Sequence, residues 1–459
     1  MKGEAMRKPA AVGLIALAAC GGAHAQSNEE LKALLDQALK TIQDLQGRVK
    51  ALEQDKAAAT PAVAPASAPT AAAAPGTWGA PIVAPGARAD EGAADADKAR
   101  AEFYGQAMID AIYDFKRMNP QWSATERPSQ IPVNCPGDAG CGKDGATIFS
   151  VRQSSLGFRA FIPTGIGVLK TDLSFDLFAS DGSTNIHWLK AWAELGMFGV
   201  GQTYSNFMDI DVFPNTIDYW GPSGMVFVRN PQLRVTPWSK DGQSLAFALE
   251  APNSALDTGK ISDISPDFGA GFTGWNRLPD LTASWRVDRD WGHVFVAGIV
   301  RQVGYQNTLT PDANPSGHKT GYGVNLAGAF KVFGKDQISV QLAAGRAIAS
   351  YMNDGGVDLA PGQGLRAETV PTLGWLAYYN HVWSDKWSSA FGFSQHEQNN
   401  TDGQTGTAFK RGSYGNVNLL YTPVKNVLTG LEFVWGELEQ KSGESATDYR
   451  LQFSTKVTF

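Results

Sequence analysis

Four basic side chains sit opposite greasy ones in this sequence. Arg286 has the other parity from Leu281, Ala283 and Trp285, and Arg301 from Val294, Val296 and Val300. Lys190 alternates with Leu189 and Ala191, and Arg450 with Tyr449 and Leu451. In an extended chain, successive side chains point to opposite faces, so each cation lies on one face and the apolar residues on the other. A Lys or Arg turned toward lipid costs ~2–4 kcal/mol at mid-membrane, so the charged face must be the wet one. Cations on a wet wall bind anions, and a guanidinium pairs a carboxylate in bidentate fashion. Small organic acids are therefore the expected solutes, although a structural ion pair inside the wall is an equal use for any single Arg. Arg152, Arg159, Arg229, Arg234 and Arg346 fall where the alternation breaks, which leaves their direction open.

A second cluster runs from Gly201 to Pro222. It holds Tyr204, Asp209, Asp211 and Asp218, followed by Tyr219 and Trp220. A loop this rich in aromatics and carboxylates, folded into a wide lumen, would set the size and field of the opening. Arg on one wall facing Asp209 and Asp211 would create a transverse field; an ordinary surface loop is the alternative.

Catalysis finds little support. Gly269-Ala270-Gly271-Phe272-Thr273-Gly274 matches a dinucleotide fingerprint in form, but no strand-to-helix context surrounds it, so it reads as loop glycine. His187, His293, His381 and His396 are scattered with no metal spacing. No cofactor is implied. An outer-membrane hydrolase would need a Ser and a His together on the lipid-facing surface. Cys135 and Cys141 flank Pro-Gly-Asp-Ala-Gly and read as a loop disulfide in an oxidising compartment, with a metal pair as the weaker alternative.

The elements that must position these groups are strands. From Phe103 to Phe459 the pattern is strand, turn, strand, and the last stretch alternates most clearly: Thr447, Tyr449, Leu451, Phe453, Thr455, Val457 and Phe459 on one face. Asp448, Arg450, Gln452, Ser454 and Lys456 occupy the other. This is the expected closing strand of a transmembrane β-barrel, greasy outside and polar inside. Strands are expected near 103–116, 148–162, 167–179, 186–195, 198–206, 225–236, 243–251, 280–288, 293–306, 320–333, 336–349, 369–383, 387–396, 409–422, 427–439 and 446–459. Short connections, such as Pro237 to Gly242 and Thr422 to Asn426, alternate with long ones near 252–278, 307–319, 351–368 and 398–408. Sixteen antiparallel strands follow, and a barrel of that size leaves an aqueous channel. A mean hydropathy of −0.21 excludes a helical membrane protein but not a barrel. With 39 Lys and Arg against 45 Asp and Glu, nothing argues for nucleic acid.

Ahead of the barrel, Lys2, Arg7 and Lys8 precede an apolar core from Ala10 to Ala19 and a small-x-small site at Ala23-His24-Ala25. Residues 1–25 therefore read as a secretory signal. Leu17-Ala18-Ala19-Cys20 also fits a lipoprotein cleavage box, which the mass of the mature N-terminus would decide. Residues 26–56 carry a heptad seam: Leu31, Ala38, Leu45 and Leu52 recur every seven, as do Leu35, Ile42 and Val49. That predicts a periplasmic self-associating helix, with a dimer favoured by the seam in isolation. Residues 57–100 are an Ala/Pro-rich linker, and 101–459 the barrel.

The chain resembles the DcaP-like trimeric porins of Gram-negative outer membranes. The resemblance rests on the heptad helix, on Phe149-Ser150-Val151-Arg152-Gln153-Ser154-Ser155-Leu156-Gly157-Phe158, on Gly201-Gln202-Thr203-Tyr204-Ser205-Asn206-Phe207-Met208-Asp209, and on Pro214 to Pro222. It implies a homotrimer of sixteen-stranded barrels in outer-membrane lipid, joined by the coiled coil, and uptake of dicarboxylates and related small anions. Arg152, inside a matched segment, becomes the leading anion contact under that resemblance, beside the parity-derived Lys190, Arg286, Arg301 and Arg450. An envelope tether, with the barrel as a mere anchor, is the rival reading.

Overall fold

Closure comes from the stretch with the cleanest alternation. In a computed structural model, which describes Lys40 and residues 98–138, 140–310 and 315–459, Thr458 to Arg450 pair antiparallel with Gln106 to Asp114. The last strand thereby joins the first. On it Arg450, Gln452 and Ser454 are fully buried, while Leu451 and Phe453 are 37% and 50% exposed. The signal segment, the 26–56 heptad segment apart from Lys40, and nearly all of the linker lie outside the described residues.

Sixteen staves form the wall. They are β1 (Arg100–Asp114), β2 (Ala146–Ser150 continued by Ser155–Thr164), β3 (Gly167–Phe178), β4 (Thr184–Leu195), β5 (Phe198–Tyr204), β6 (Arg229–Lys240), β7 (Gln243–Glu250) and β8 (Asp280–Arg289). β9 (Gly292–Asn307), β10 (Ser316–Val332), β11 (Asp336–Arg346), β12 (Pro371–Val382), β13 (Trp387–Gln398), β14 (Phe409–Val424), β15 (Val427–Gln440) and β16 (Ser445–Thr458) complete it. The two parts of β2 both pair with β1 and count as one stave broken at residues 151–154. Every neighbouring pair is antiparallel, so most of the wall's backbone polar groups are paired within the sheet, although β4 meets β5 only over Ala191–Leu195. Among the described residues no helix is long and apolar enough to cross a membrane.

Hydrophobic patterning explains the outer face. Leu281, Trp285 and Val300 are exposed, as expected from their parity against Arg286 and Arg301. Turns at one rim are tight; Asp241 and Gly242 both adopt left-handed φ, 53° and 64°, the geometry a two-residue hairpin requires. That rim is the periplasmic side by the barrel rule, and the long loops mark the other. The alternation is looser than its sequence suggested, because residues 179–183 and 441–444 are short loops on the long-loop rim.

Two of the shifted boundaries have a clear physical cause. The strand expected near 225–236 is Arg229–Lys240, because Met225 and Val226 are fully buried in an apolar cluster inside the barrel and never reach the wall. Periodicity alone cannot tell a greasy residue facing lipid from one packed in the lumen. The turn expected at Pro237 to Gly242 shrinks to Asp241 and Gly242, with a bulge between Val235 and Trp238 absorbing Pro237 into β6. The Gly269–Gly274 stretch lies in a loop carrying the short helices Lys260–Ile264 and Pro266–Ala270, and Phe272–Gly274 pairs with the end of β9.

Candidate functional site

The segment between β5 and β6, residues 205–228, turns into the barrel. It is pinned first to the β7–β10 wall. Ser205 Oγ and the Asn206 amide donate to Glu250, Ser284 Oγ donates to Asn206, and Asn325 Nδ2 donates to the Phe207 carbonyl, all within 2.7–2.9 Å. The segment then crosses to the far wall, where Thr216 Oγ1 and the amides of Ile217 and Asp218 donate to Glu432 of β15 at 2.6–3.1 Å. It finishes against β11, where Gln341 brackets Gly224 and Val226. Gly224 lies so near the Trp375 and Gln395 carbonyls that no Cβ would fit.

This crossing divides the lumen into two parts. On the β9–β12 side the inner wall is apolar: Phe295, Ala297, Ile299, Ala327, Ala343 and Leu376 pack against Phe207, Met208, Val212, Phe213, Met225 and Val226 of the loop. That part is a dry core. On the β2–β6 side a cavity of about 310 Å³ persists, with Asp176, His187, Lys190 and Arg229 on the wall and Phe213 and Tyr219 on the loop.

Charge gathers on this open side. Lys190 Nζ is 3.1 Å from Asp172 Oδ2 and 5.6 Å from the centre of the Tyr204 ring. The Arg229 guanidinium lies 5.0 Å from the rings of both Tyr204 and Phe227. Arg159 sits 4.2 Å over Tyr104 and 3.6 Å from Asp172. Arg234 covers Trp192 at 5.5 Å and donates to the Tyr204 carbonyl. Aromatic faces hold the guanidinium groups electrostatically while leaving their edges available. Tyr104 hydrogen-bonds Asp172.

The expected pore residues separate into two groups. Lys190 and Tyr204 line the cavity. Arg286, Arg301 and Arg450 face inward as their parity requires, but each is taken up by carboxylates of the protein itself. Arg286 meets Asp209 at 3.0 Å, Asp211 at 2.7 Å and Asp288 at 2.8 Å. The expected transverse field between this arginine and the loop carboxylates is therefore collapsed into contact pairs, with His293 Nε2 also 2.7 Å from Asp209. Arg301 is enclosed by Asp280 at 3.1 Å and Asp358 at 3.5 Å, and donates to the Asn253 carbonyl. Arg450 is surrounded by Asp114, Glu126 and Asp448, each at 3.0 Å. Each arginine fastens a different loop: 205–228, 347–370 and 115–145. Removing charges from water is costly unless they are paired this closely.

Asp218 is buried as well. It accepts from Thr125 Oγ1 and the Glu126 amide at 2.9 Å and from the Tyr414 hydroxyl at 3.2 Å. Burial pushes the carboxyls of Asp218, Glu126 and Asp211 up, with Arg286 opposing the effect at Asp211 and Arg450 at the other two. Arg152 sits in the break of β2 at the long-loop rim. It donates to the Gly182 carbonyl at 2.7 Å and to Thr184 Oγ1 at 3.0 Å, so it borders the mouth and not the narrowest part. Cys135 and Cys141 are disulfide-bonded in the first loop, with Cα atoms 5.4 Å apart. Among the described residues no group of His, Cys, Asp and Glu could hold a metal ion.

Three residues of the open side escaped the sequence reading. Arg159 could have been placed from Leu156 and Ile162, both outward on the opposite parity, and Arg234 from outward Leu233. Arg229 gives no such signal, since it lies where the loop rejoins the wall.

The solved channel DcaP of Acinetobacter baumannii is similar in fold: 21% identical, with a TM-score of 0.68 over 79% of this chain and 97% of its own. An anion-selective porin from Comamonas acidovorans, 8% identical, superposes with a TM-score of 0.51 over 79% of this chain and all of its own. No curated protein matches. The sequence profile described as DcaP outer membrane protein matches residues 86–457. The sixteen-strand barrel with its inward loop is a Gram-negative outer-membrane porin fold, and the chain belongs to the DcaP outer membrane protein family.

Proposed function

We propose that this porin is a passive diffusion channel that prefers small organic anions, dicarboxylates among them, and needs no cofactor or energy source. The observation that carries the reading is that Lys190 and Arg229 line the cavity, with Arg159 and Arg234 on the neighbouring wall, while Asp176 in the lining and Asp172 beside Lys190 supply the nearby negative charge. Excess positive charge in a narrow, low-dielectric opening concentrates anions and repels cations. Lys190 and Arg229 make the first solute contacts, with Arg152 at the mouth. Arg286, Arg301 and Arg450 serve by holding the loops that leave this side open. The anion selectivity of the Comamonas acidovorans porin is consistent with this, as a property of that protein.

The assembly belongs to the same proposal. The heptad seam of residues 26–56 supports self-association, and the resemblance to trimeric porins makes the oligomer a homotrimer with its helices in the periplasm. Planar-bilayer recording on purified protein in a salt gradient tests the channel reading. A reversal potential of anionic sign and partial block of chloride current by a four-carbon dicarboxylate are expected. A cation-selective current, or a dicarboxylate without effect, overturns it. Deleting residues 27–100 separates this reading from the envelope tether: uptake survives if the barrel is the working part.

A further inference from the structure

One side chain in the passage belongs to the class that changes charge near neutral pH. His187 of β4 lines the cavity, with 29% of its side chain exposed. Its Nδ1 stands 3.1 Å from Asp176 Oδ1 on β3 and 3.4 Å from the Tyr219 hydroxyl on the loop. That hydroxyl donates to the other Asp176 oxygen at 2.7 Å, and the Tyr219 ring stacks on Phe178 at 4.1 Å. Tyr219 thus fastens the loop to the β3–β4 wall, and His187 sits beneath the fastening.

The other charged groups around it are few. Asp176 faces it from β3, Lys190 follows on its own strand, and Arg229 lines the same cavity from β6. Asp172 is engaged with Lys190, and Arg152 reaches Thr184, three residues earlier on β4. The loop residues lining the cavity, Phe213, Tyr219, Trp220, Phe227 and Val228, carry no formal charge at neutral pH.

The geometry points to His187 as a pH-dependent determinant of ion selectivity, an inference that rests on the channel reading above. Imidazole gains its proton between pH 8 and pH 5. The added charge attracts anions and repels cations passing beside it. At ~7 Å in a water-like dielectric one charge is worth about RT per ion, and about half of that after screening by ~0.1 M salt, so the opposite shifts for anion and cation change the permeability ratio about threefold. The protonated ring still donates to Asp176, so Tyr219 stays fastened and the field changes instead of the width.

The test uses the full chain in planar bilayers under a KCl gradient at pH 7.5 and pH 5.5. The unaltered protein should become about threefold more anion-selective on acidification. His187→Gln should hold the pH 7.5 ratio at both values, and His187→Arg should give the higher ratio at both. An undiminished acid response in His187→Gln, or none in the unaltered protein, overturns the inference. A channel that is cation-selective at both pH values overturns the function reading instead, so the two failures are told apart. If His187→Gln does not fold, an NMR titration of the His187 ring in detergent decides, and a ring that keeps one protonation state from pH 8 to pH 5 sinks the idea.

Discussion

The two sides of the lumen are built on the same wall with the same alternation, yet they do opposite things. Between β9 and β12, inward Phe295, Ala297, Ile299, Ala327 and Leu376 meet Phe207, Met208 and Val212 of the inward loop and exclude water. Between β2 and β6, inward Arg159, Asp172, Lys190 and Arg234 meet Tyr104, Tyr204 and Trp192, and a cavity persists. On the dry side the loop presents aliphatic and aromatic groups to small apolar partners, so packing is tight and dispersion contacts accumulate. On the other side long charged side chains lie over rings beside the cavity, and Lys190 reaches Asp172. An inward position in a barrel is not by itself a pore position. What the loop brings to it decides.

The loop fastenings carry the largest expected effect. Arg450→Ala leaves Asp114, Glu126 and Asp448 buried together without their shared cation, and a loss of about 3–5 kcal/mol is expected. A thermal melt in detergent reads it; an unchanged midpoint would mean these carboxylates are neutral or hydrated in the folded barrel. Next comes the dry side. Phe295→Ala opens a void in the packed core and should cost about 3 kcal/mol while the reversal potential stays put. Altered selectivity in that variant would show that the passage extends into the region described here as core.

The open side should answer in the reverse way. Lys190→Ala removes one cation beside the cavity, and Asp172 keeps Arg159 and Tyr104 as partners. The anion-to-cation permeability ratio should fall about threefold, with a stability change near 1 kcal/mol. If the melt moves more than the reversal potential, Lys190 is a brace and not a solute contact. The smallest effect belongs outside both regions. Arg117, 2.7 Å from Asp144 in the first loop, holds that carboxyl below its ordinary range through an exposed pair. Such a depressed acid stabilises above the usual carboxylate range and loses its contribution as the pH falls through it. Arg117→Ala should therefore move the melt by less than about 1 kcal/mol at neutral pH and by nothing measurable in acid.

Much of the wall was readable in advance. The strand through Leu451 and Phe453 is greasy outside and buried inside as its spacing demanded, and the inward direction of Arg286, Arg301, Lys190 and Arg450 followed from parity alone. The inward loop was legible as a cluster of Tyr204, Asp209, Asp211 and Asp218 too costly to leave in solvent. The dry core was half legible. Residues 294–300 are apolar on both faces, which marks a strand covered on both sides, but nothing local said that the inner cover is a loop.

Alternation of side chains is a property of a few consecutive residues, so along the regularly alternating strands the chain itself fixes which groups face lipid and which face inward, while the arginines where the alternation breaks and the buried Met225 and Val226 escape it. Which inward cations are spent on the protein and which stay beside water depends on partners remote along the chain. Arg450 and Asp114 are 336 residues apart, and Arg286 and Asp209 are 77 apart. A periodic pattern carries no record of such distances. Only the closure of the wall and the inward packing of loops 115–145, 205–228 and 347–370 brought carboxylates to the three arginines, and the path of the 205–228 loop left the β2–β6 side with an unfilled opening.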